Sequence, residues 1–346
     1  MSPARGLGRF VRLAVIVTAL QAVPPARADG NLVLYCAVQE EWCRNMVAAF
    51  ERQTGVKVAM TRKSSGEFYA QVQAEAANPR GDVWWGGTGD PHLQAAEEGL
   101  TIEHQSPNLG LVHDWARKQW EQAKHRAVGV YAGALGYGYN SELLQKKGGA
   151  VPQCWADLTD PRFHDEVQVA DPNSSGTAYT LLATVIQLMG EEKGFDYLKR
   201  LHRNINQYTK SGAAPAKATS LGETLIGITF QHDMVTFIVD GAPIKIVAPC
   251  EGTGYEIGSM SIIKGARNLD NAKRWYDWAL TTEAQKIGGE SKAYQVPSNN
   301  EAKPPPQAPD FSQIKFIDYD FAKYGSSVER KRLLAKWDNE VKNLPR

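Results

Sequence analysis

The chain lacks most of the motifs that announce catalysis. It contains no G-x-S-x-G nucleophile elbow, no phosphate-cradling P-loop and no H-E-x-x-H zinc helix. The stretch "GTGYEIG" (residues 252–258) is spaced G-x-G-x-x-x-G, with its strand after the glycines rather than before them. A dinucleotide loop has the opposite order. Cysteine is scarce, with four in the chain. None has C-x₂-C spacing and no histidines are spaced H-x₃₋₅-H, so a structural zinc site is not expected. Basic residues form no extended tract, which removes the electrostatic footprint of nucleic-acid binding. Beyond residue 28, no apolar run is long enough to span a bilayer.

What is present has ordinary globular proportions: 346 residues, 42% hydrophobic and 22% charged, enough for two lobes with separate cores. The first residues differ in kind. Arg5, Arg9 and Arg12 precede an apolar run over 13–20, and Ala26-Arg27-Ala28 is a small-x-small cleavage pattern. This reads as a secretory signal peptide over 1–28, too short for a stable bilayer span. Its removal takes away Arg5, Arg9, Arg12 and Arg27 and no acid, turning a formal charge of +1 slightly acidic. Cys36, Cys43, Cys154 and Cys250 then face an oxidising compartment, where disulfides persist. Cys36 and Cys43 flank a strand–helix turn that a bridge can close, and Cys154 with Cys250 can form a second. Four cysteines allow three pairings, and spacing alone does not choose among them.

Hydrophobic periodicity divides the chain into alternating elements. "NLVLYCAV" reads as a strand, and "EEWCRNMVAAFERQTG" as a helix with Trp42, Met46, Val47 and Phe50 on one face and a stop at Gly55. "VKVAMTRKS", "SGEFYAQVQAEAAN", "GDVWWGG" and "DPHLQAAEEGL" continue the alternation. It resumes with "VQVADPNSSGTAYTLLATVIQLMGEEKGFDYLKRL", then strands in "GETLIGITF" and "IKIVAPCEGTGYEIGSMSII". "NLDNAKRWYDWALTTEAQKIGG" reads as one amphipathic helix, and the tail through "KPPPQAPDFSQ" as surface loop. Such alternation predicts an α/β protein with a mixed sheet covered by helices. Two segments rich in glycine and tyrosine, 128–139 and 254–259, are the expected crossings between two lobes. Lobe 1 is expected to hold 29–130 and 260–346, and lobe 2 to hold 131–259.

Open α/β sheets bind ligands at the loops beyond the carboxyl ends of their strands. Four such loops open helices with small or hydroxyl residues: Lys63-Ser64-Ser65-Gly66, Gly86-Gly87-Thr88-Gly89-Asp90, Asn173-Ser174-Ser175-Gly176-Thr177 and Lys210-Ser211-Gly212. A helix N-terminus offers unpaired N–H groups and the positive end of its dipole, and hydroxyls add donors suited to phosphate oxygens. The same residue types are ordinary N-caps, so a ligand role requires the loops to meet in one cleft. Acceptors stand against these donors. His232 and Asp233 end the strand "GITF" and are expected in a loop facing the cleft; Glu256 lies in the glycine-rich crossing. Carboxylates suit vicinal hydroxyls because they accept hydrogen bonds in fixed geometry. A satisfied core histidine and a capping aspartate are the structural alternatives. Adjacent side chains do not easily face one nucleophile, so catalysis is not expected, and neither is a cofactor or a resident metal.

Together "LVLYCAVQEEWCRNMVAAFERQTGVKV", "GDVWWGGTGDPHLQAAEEGL", "ADPNSSGTAYTLL" and "APCEGTGYEIGSMSIIKGARN" resemble the periplasmic solute-binding proteins of ABC importers, in the branch labelled ferric-iron-binding. The resemblance covers essentially the whole chain after residue 28. It implies a two-lobed periplasmic-binding-protein fold of type II with a cleft and a hinge. It also implies a periplasmic monomer whose partner is an inner-membrane ABC permease. In ferric-binding members two consecutive tyrosines follow the corresponding strand and hold the metal, often with a histidine from the first strand–helix loop. Here those positions carry His232-Asp233, and the first loop reads Cys36-Ala37-Val38-Gln39. Fe³⁺ favours anionic oxygen ligands, phenolates included, so the resemblance implies that the iron site is lost.

The anion half of that site is similar: Ser175-Gly176-Thr177 matches the family's phosphate-holding helix start. Members that bind hexose phosphates are similar in having serine at 64, His-Asp at 232–233 and Glu at 256. The implied ligand is a phosphorylated small molecule, a sugar phosphate foremost. Ser175, Gly176 and Thr177, helped by Ser64 and Ser211, would hold the phosphate, and His232, Asp233 and Glu256 the hydroxyls; Ser65 and Thr88 complete the expected substrate-binding set. The competing readings are ferric iron on other ligands, an aminoalkylphosphonate whose ammonium meets the acidic pair, and a periplasmic hydrolase using His232 and Asp233.

Overall fold

The computed structural model describes Met1 and residues 30–345; the expected leader, Met1 apart, lies outside them. Strands β1 (Asn31–Cys36), β2 (Lys57–Arg62) and β3 (Val83–Thr88) run parallel and are joined by the helices Glu40–Thr54 and Ser65–Ala74. Parallel neighbours need such crossover connections. The short β4 (Thr101–Ile102) and the long β5 (Val128–Asn140) follow. Next come β6 (Val167–Ala170), β7 (Ile205–Thr209), β8 (Ile226–Phe230) and β9 (Ile244–Val247), then β10 (Tyr255–Ile263) and β11 (Val296–Pro297). The main path runs β2-β1-β3-β10-β5-β8-β6-β7, with β4 on β10 and both β9 and β11 on β5. Because β10 and β5 run antiparallel to their neighbours, the sheet is mixed.

β5 joins the two halves of the molecule. Its first residues pair with β10 and β11, and residues 135–140 pair with β8 and β9. Two cores flank this passage. One gathers Leu32, Trp42, Phe50, Trp85, Met260 and Trp275; the other gathers Tyr137, Trp155, Tyr179, Leu182, Phe195 and Ile228. Local sequence explains much of the first. Helix Glu40–Thr54 buries Trp42, Cys43, Met46 and Phe50 at helical spacing and stops at Gly55, whose φ of 74° is left-handed. Among the described residues, no helix is long and apolar enough to cross a membrane.

Two expectations are corrected. The segment 260–346 does not pack as one with the first core. Tyr319, Tyr324, Leu333, Trp337 and Val341 belong to the second core instead, and Lys342 Nζ lies 2.6 Å from Asp171 there. The amphipathic stretch after residue 268 is two helices, Leu269–Ala279 and Thr282–Glu290. Thr281 starts the second by accepting a hydrogen bond from Ala284 N–H, and a residue that caps a new helix ends the old one.

Both disulfides form: Cys36 with Cys43, and Cys154 with Cys250. They close loops of very different length, with sequence separations of 7 and 96. On a chain-entropy account, removing the longer one should cost about 4–5 kcal/mol and the shorter about 2–3 kcal/mol. Denaturant midpoints of the two Cys→Ser pairs should therefore fall in that order. Equal losses would mean that native contacts, not loop closure, set the difference.

Candidate ligand site

Six helices begin at one place. Their N-caps are Gln39, Ser64, Thr88, Ser175, Ala213 and Phe230, and all six line a single cavity. The sheet dictates this. β1, β2 and β3 are mutually parallel, as are β6, β7 and β8, so each set sends its carboxyl ends, and the helix starts that follow, toward one edge. All the candidates read from the sequence line the cavity: Ser64, Ser65, Thr88, Ser175, Gly176, Thr177, Ser211, His232, Asp233 and Glu256.

The two halves meet across it. Gly66 N–H donates to Ser174 O (3.1 Å), Ser64 Oγ to Lys210 O (3.2 Å) and Gln39 Nε2 to Asp233 Oδ1 (2.7 Å). The closest approach is at Gly176, where a Cβ would lie 1.8 Å from Thr88 Oγ1. Only a glycine lets Thr88 reach that helix start. At this end the cavity is lined by donors. Thr88 Oγ1 is buried without a partner, while Ser65 Oγ accepts from Thr88 N–H at 3.1 Å. Among the described lining residues, Arg62 is the one permanently cationic side chain, and its Nε donates to Val38 O at 3.0 Å. Charge on an anion here would be met mainly by helix dipoles, amides and hydroxyls.

The opposite end carries acceptors. His232 and Asp233 are not in a loop, as expected, but in the first turn of helix Gln231–Val239. The first turn wraps around the helix end that opens on the cavity, so consecutive residues both line it. His232 Nε2 lies 3.8 Å from Asp233 Oδ1 and 3.8 Å from Glu256 Oε1, too far for direct hydrogen bonds. Its ring stacks on Phe230, and its Nδ1 packs without a partner against Gly133, where a Cβ would come within 2.6 Å. Asp233 is held at both oxygens, by Gln39 and by Thr229 Oγ1 at 2.9 Å from Oδ2.

Burial pulls the His232 imidazole below its usual range, with Asp233 opposing. Burial also pushes the Glu256 carboxyl well above its usual range, helped by the Asp233 and Asp90 charges. This end therefore resists a full set of charges and suits neutral hydroxyls that both donate and accept.

Sequence reasoning missed Gln39, Arg62, Tyr131 and Gln295, which also line the cavity. Gln39 obeys the same strand-to-helix rule as the four hydroxyl loops but is not a typical capping residue. Tyr131 and Gln295 arrive through antiparallel pairing of β5 with β10 and β11, for which no local signal exists. Tyr131 OH accepts from Gly87 N–H at 2.9 Å. Burial, and then the Glu256 charge, push its phenol well above the usual range. The C-terminal segment packs behind the donor-lined end: Arg330 donates to Pro172 O (3.3 Å) and lies 4.4 Å over the Tyr179 ring. Asn173 Nδ2 donates to Asp338 Oδ1 at 2.9 Å.

Comparison with known proteins identifies the family and the fold. Residues 88–324 match the family of bacterial extracellular solute-binding proteins. The periplasmic binding protein AfuA of Actinobacillus pleuropneumoniae, solved with exogenous fructose-6-phosphate bound, is 48% identical with a TM-score of 0.88, over 91% of this chain and 100% of that one. An uncharacterised protein of Haemophilus influenzae is 46% identical over 96% of each chain. Iron-bound HitA of Pseudomonas aeruginosa, 20% identical with a TM-score of 0.75 over 88% and 98%, shares the fold. With a family match across most of its length and near relatives along nearly all of it, the chain belongs to the periplasmic solute-binding proteins of ABC importers, in the ferric-binding-like branch with a type II α/β fold.

Proposed function

We propose that this solute-binding protein captures a phosphorylated small molecule, a sugar phosphate of hexose size foremost. The observation that carries this reading is the division of one cavity into a donor end and an acceptor end. Ser64, Ser65, Thr88, Ser175, Gly176, Thr177 and Ser211 take the phosphate, helped by the helix starts behind them. His232, Asp233 and Glu256 take the hydroxyls at the other end. AfuA, with fructose-6-phosphate in its structure, supports the same choice.

Capture needs no chemistry. The ligand favours the closed state because it touches both lobes there, which is a shift of population between open and closed forms. The closed form then docks on its inner-membrane permease. Ferric cargo fits the donor set poorly, because Fe³⁺ favours anionic oxygens such as phenolates and Tyr131, the one tyrosine among the described residues lining the cavity, already accepts from Gly87 N–H.

A thermal-shift screen of the exported form tests the reading. Glucose 6-phosphate at about a hundredfold its Kd should add about 2.7 kcal/mol, read as a melting temperature several degrees higher. Glucose alone and ferric citrate should add nothing. Stabilisation by an aminoalkylphosphonate instead would move the assignment to an ammonium-bearing ligand. Steady release of inorganic phosphate from glucose 6-phosphate would make the protein a hydrolase and overturn it.

A further inference from the structure

Gln39 and Gln295 form a directed chain of amides on the first-lobe wall of the cavity. A carboxylate oxygen accepts, so the Gln39 group 2.7 Å from Asp233 Oδ1 is its Nε2. That leaves Gln39 Oε1 to accept from Gln295 Nε2 at 3.3 Å. The end of the chain is Gln295 Oε1, buried and without a hydrogen-bond partner, on a residue that lines the cavity. The carboxylate thus orients both amides. Turning Gln295 over would put its carbonyl against the Gln39 carbonyl and break the chain.

Both residues sit on fixed backbone. The Cys36–Cys43 disulfide spans the loop of Gln39, and Ala37 N–H donates to Trp85 O within it. Gln295 immediately precedes β11, whose Val296 is registered on Ala132 of β5.

We infer that Gln295 is a specificity-determining residue that accepts a hydrogen bond from a ligand hydroxyl, and that Gln39 is the residue that positions it. The inference rests on the sugar-phosphate reading and deepens it. Asp233 reads the polyol from the second lobe, and Gln295 reads it from the first once the lobes close. A ligand without a donor at that point would leave a buried carbonyl unsatisfied, so the site should prefer a polyol phosphate to its deoxygenated or O-methylated analogue.

Titration calorimetry on the exported chain tests this with glucose 6-phosphate and inorganic phosphate as probes. Gln295→Met and Gln39→Met should each weaken glucose 6-phosphate by about fivefold to tenfold, the value of a single hydrogen bond. The double variant should bind within about twofold of the weaker single one, because the two residues act in series. Inorganic phosphate should bind all four proteins alike, and melting temperatures unchanged from the parent's would show that each is folded. Unchanged glucose 6-phosphate binding in the variants, equal losses for both probes, or fully additive losses overturn the inference and leave the sugar-phosphate reading standing. A parent protein that binds no phosphate ester overturns both.

Discussion

Gly176→Ala is expected to abolish tight ligand binding while leaving the protein folded. The new Cβ would lie 1.8 Å from Thr88 Oγ1 and 2.9 Å from both Thr88 Cβ and Cγ2, so rotating the threonine only exchanges one clash for another. Thr88 ends β3 in the first half and Gly176 opens a helix of the second. The clash is therefore relieved by parting the lobes, and the ligand loses its simultaneous grip on both. A loss of at least about 100-fold in Kd, about 2.7 kcal/mol, is expected. The backbone at 176 is not left-handed and the amide N–H is kept, so the ligand-free melting temperature should hold or rise slightly, as alanine is favoured over glycine in helices. Adding Thr88→Ala removes the 1.8 Å contact and should restore part of the affinity. If Gly176→Ala binds like the parent, closure at this contact does not govern capture.

Asp233→Asn should weaken a sugar phosphate by about 10-fold to 100-fold, because a hydrogen bond to a charged group contributes roughly 1.5–3 kcal/mol. The replacement keeps the shape of the site. An asparagine oxygen can still accept from Gln39 Nε2, and its NH₂ can donate to Thr229 Oγ1, the two partners that hold Asp233 now. The missing charge is what the ligand feels. Titration against glucose 6-phosphate and inorganic phosphate separates the ends of the cavity: the sugar ester should lose affinity and the bare anion should not. A uniform loss for both would assign Asp233 to closure rather than to hydroxyl recognition.

Much of this was legible because it is local. Strand–helix alternation, the stop at Gly55 and the hydroxyl residues at helix starts follow from propensity and capping, and these placed four of the six converging loops. What could not be read is what the chain brings together over long distances. Met234, Val235, Phe237 and Ile238 resume an apolar run immediately after the polar break Gln231-His232-Asp233, and Phe230 offers no capping side chain, so no local signal tells whether that break is a loop or the first turn of a helix. Trp337 and Leu333 face the second core only because the tail returns to it. Gln295 meets Gln39 across 256 residues of chain, through the pairing of β11 with β5. Gly133 looks like a flexible point in a strand, yet its missing side chain makes room for His232 and Glu256.

The most direct measurement is a crystal structure of the exported protein grown with glucose 6-phosphate. The expected density places phosphorus at the helix start of Gly176 and Thr177, with the serine and threonine hydroxyls around it. The sugar hydroxyls should then lie among His232, Asp233 and Glu256. Density for a metal ion gripped by side chains, or a phosphate seated against the acidic residues instead, would contradict it.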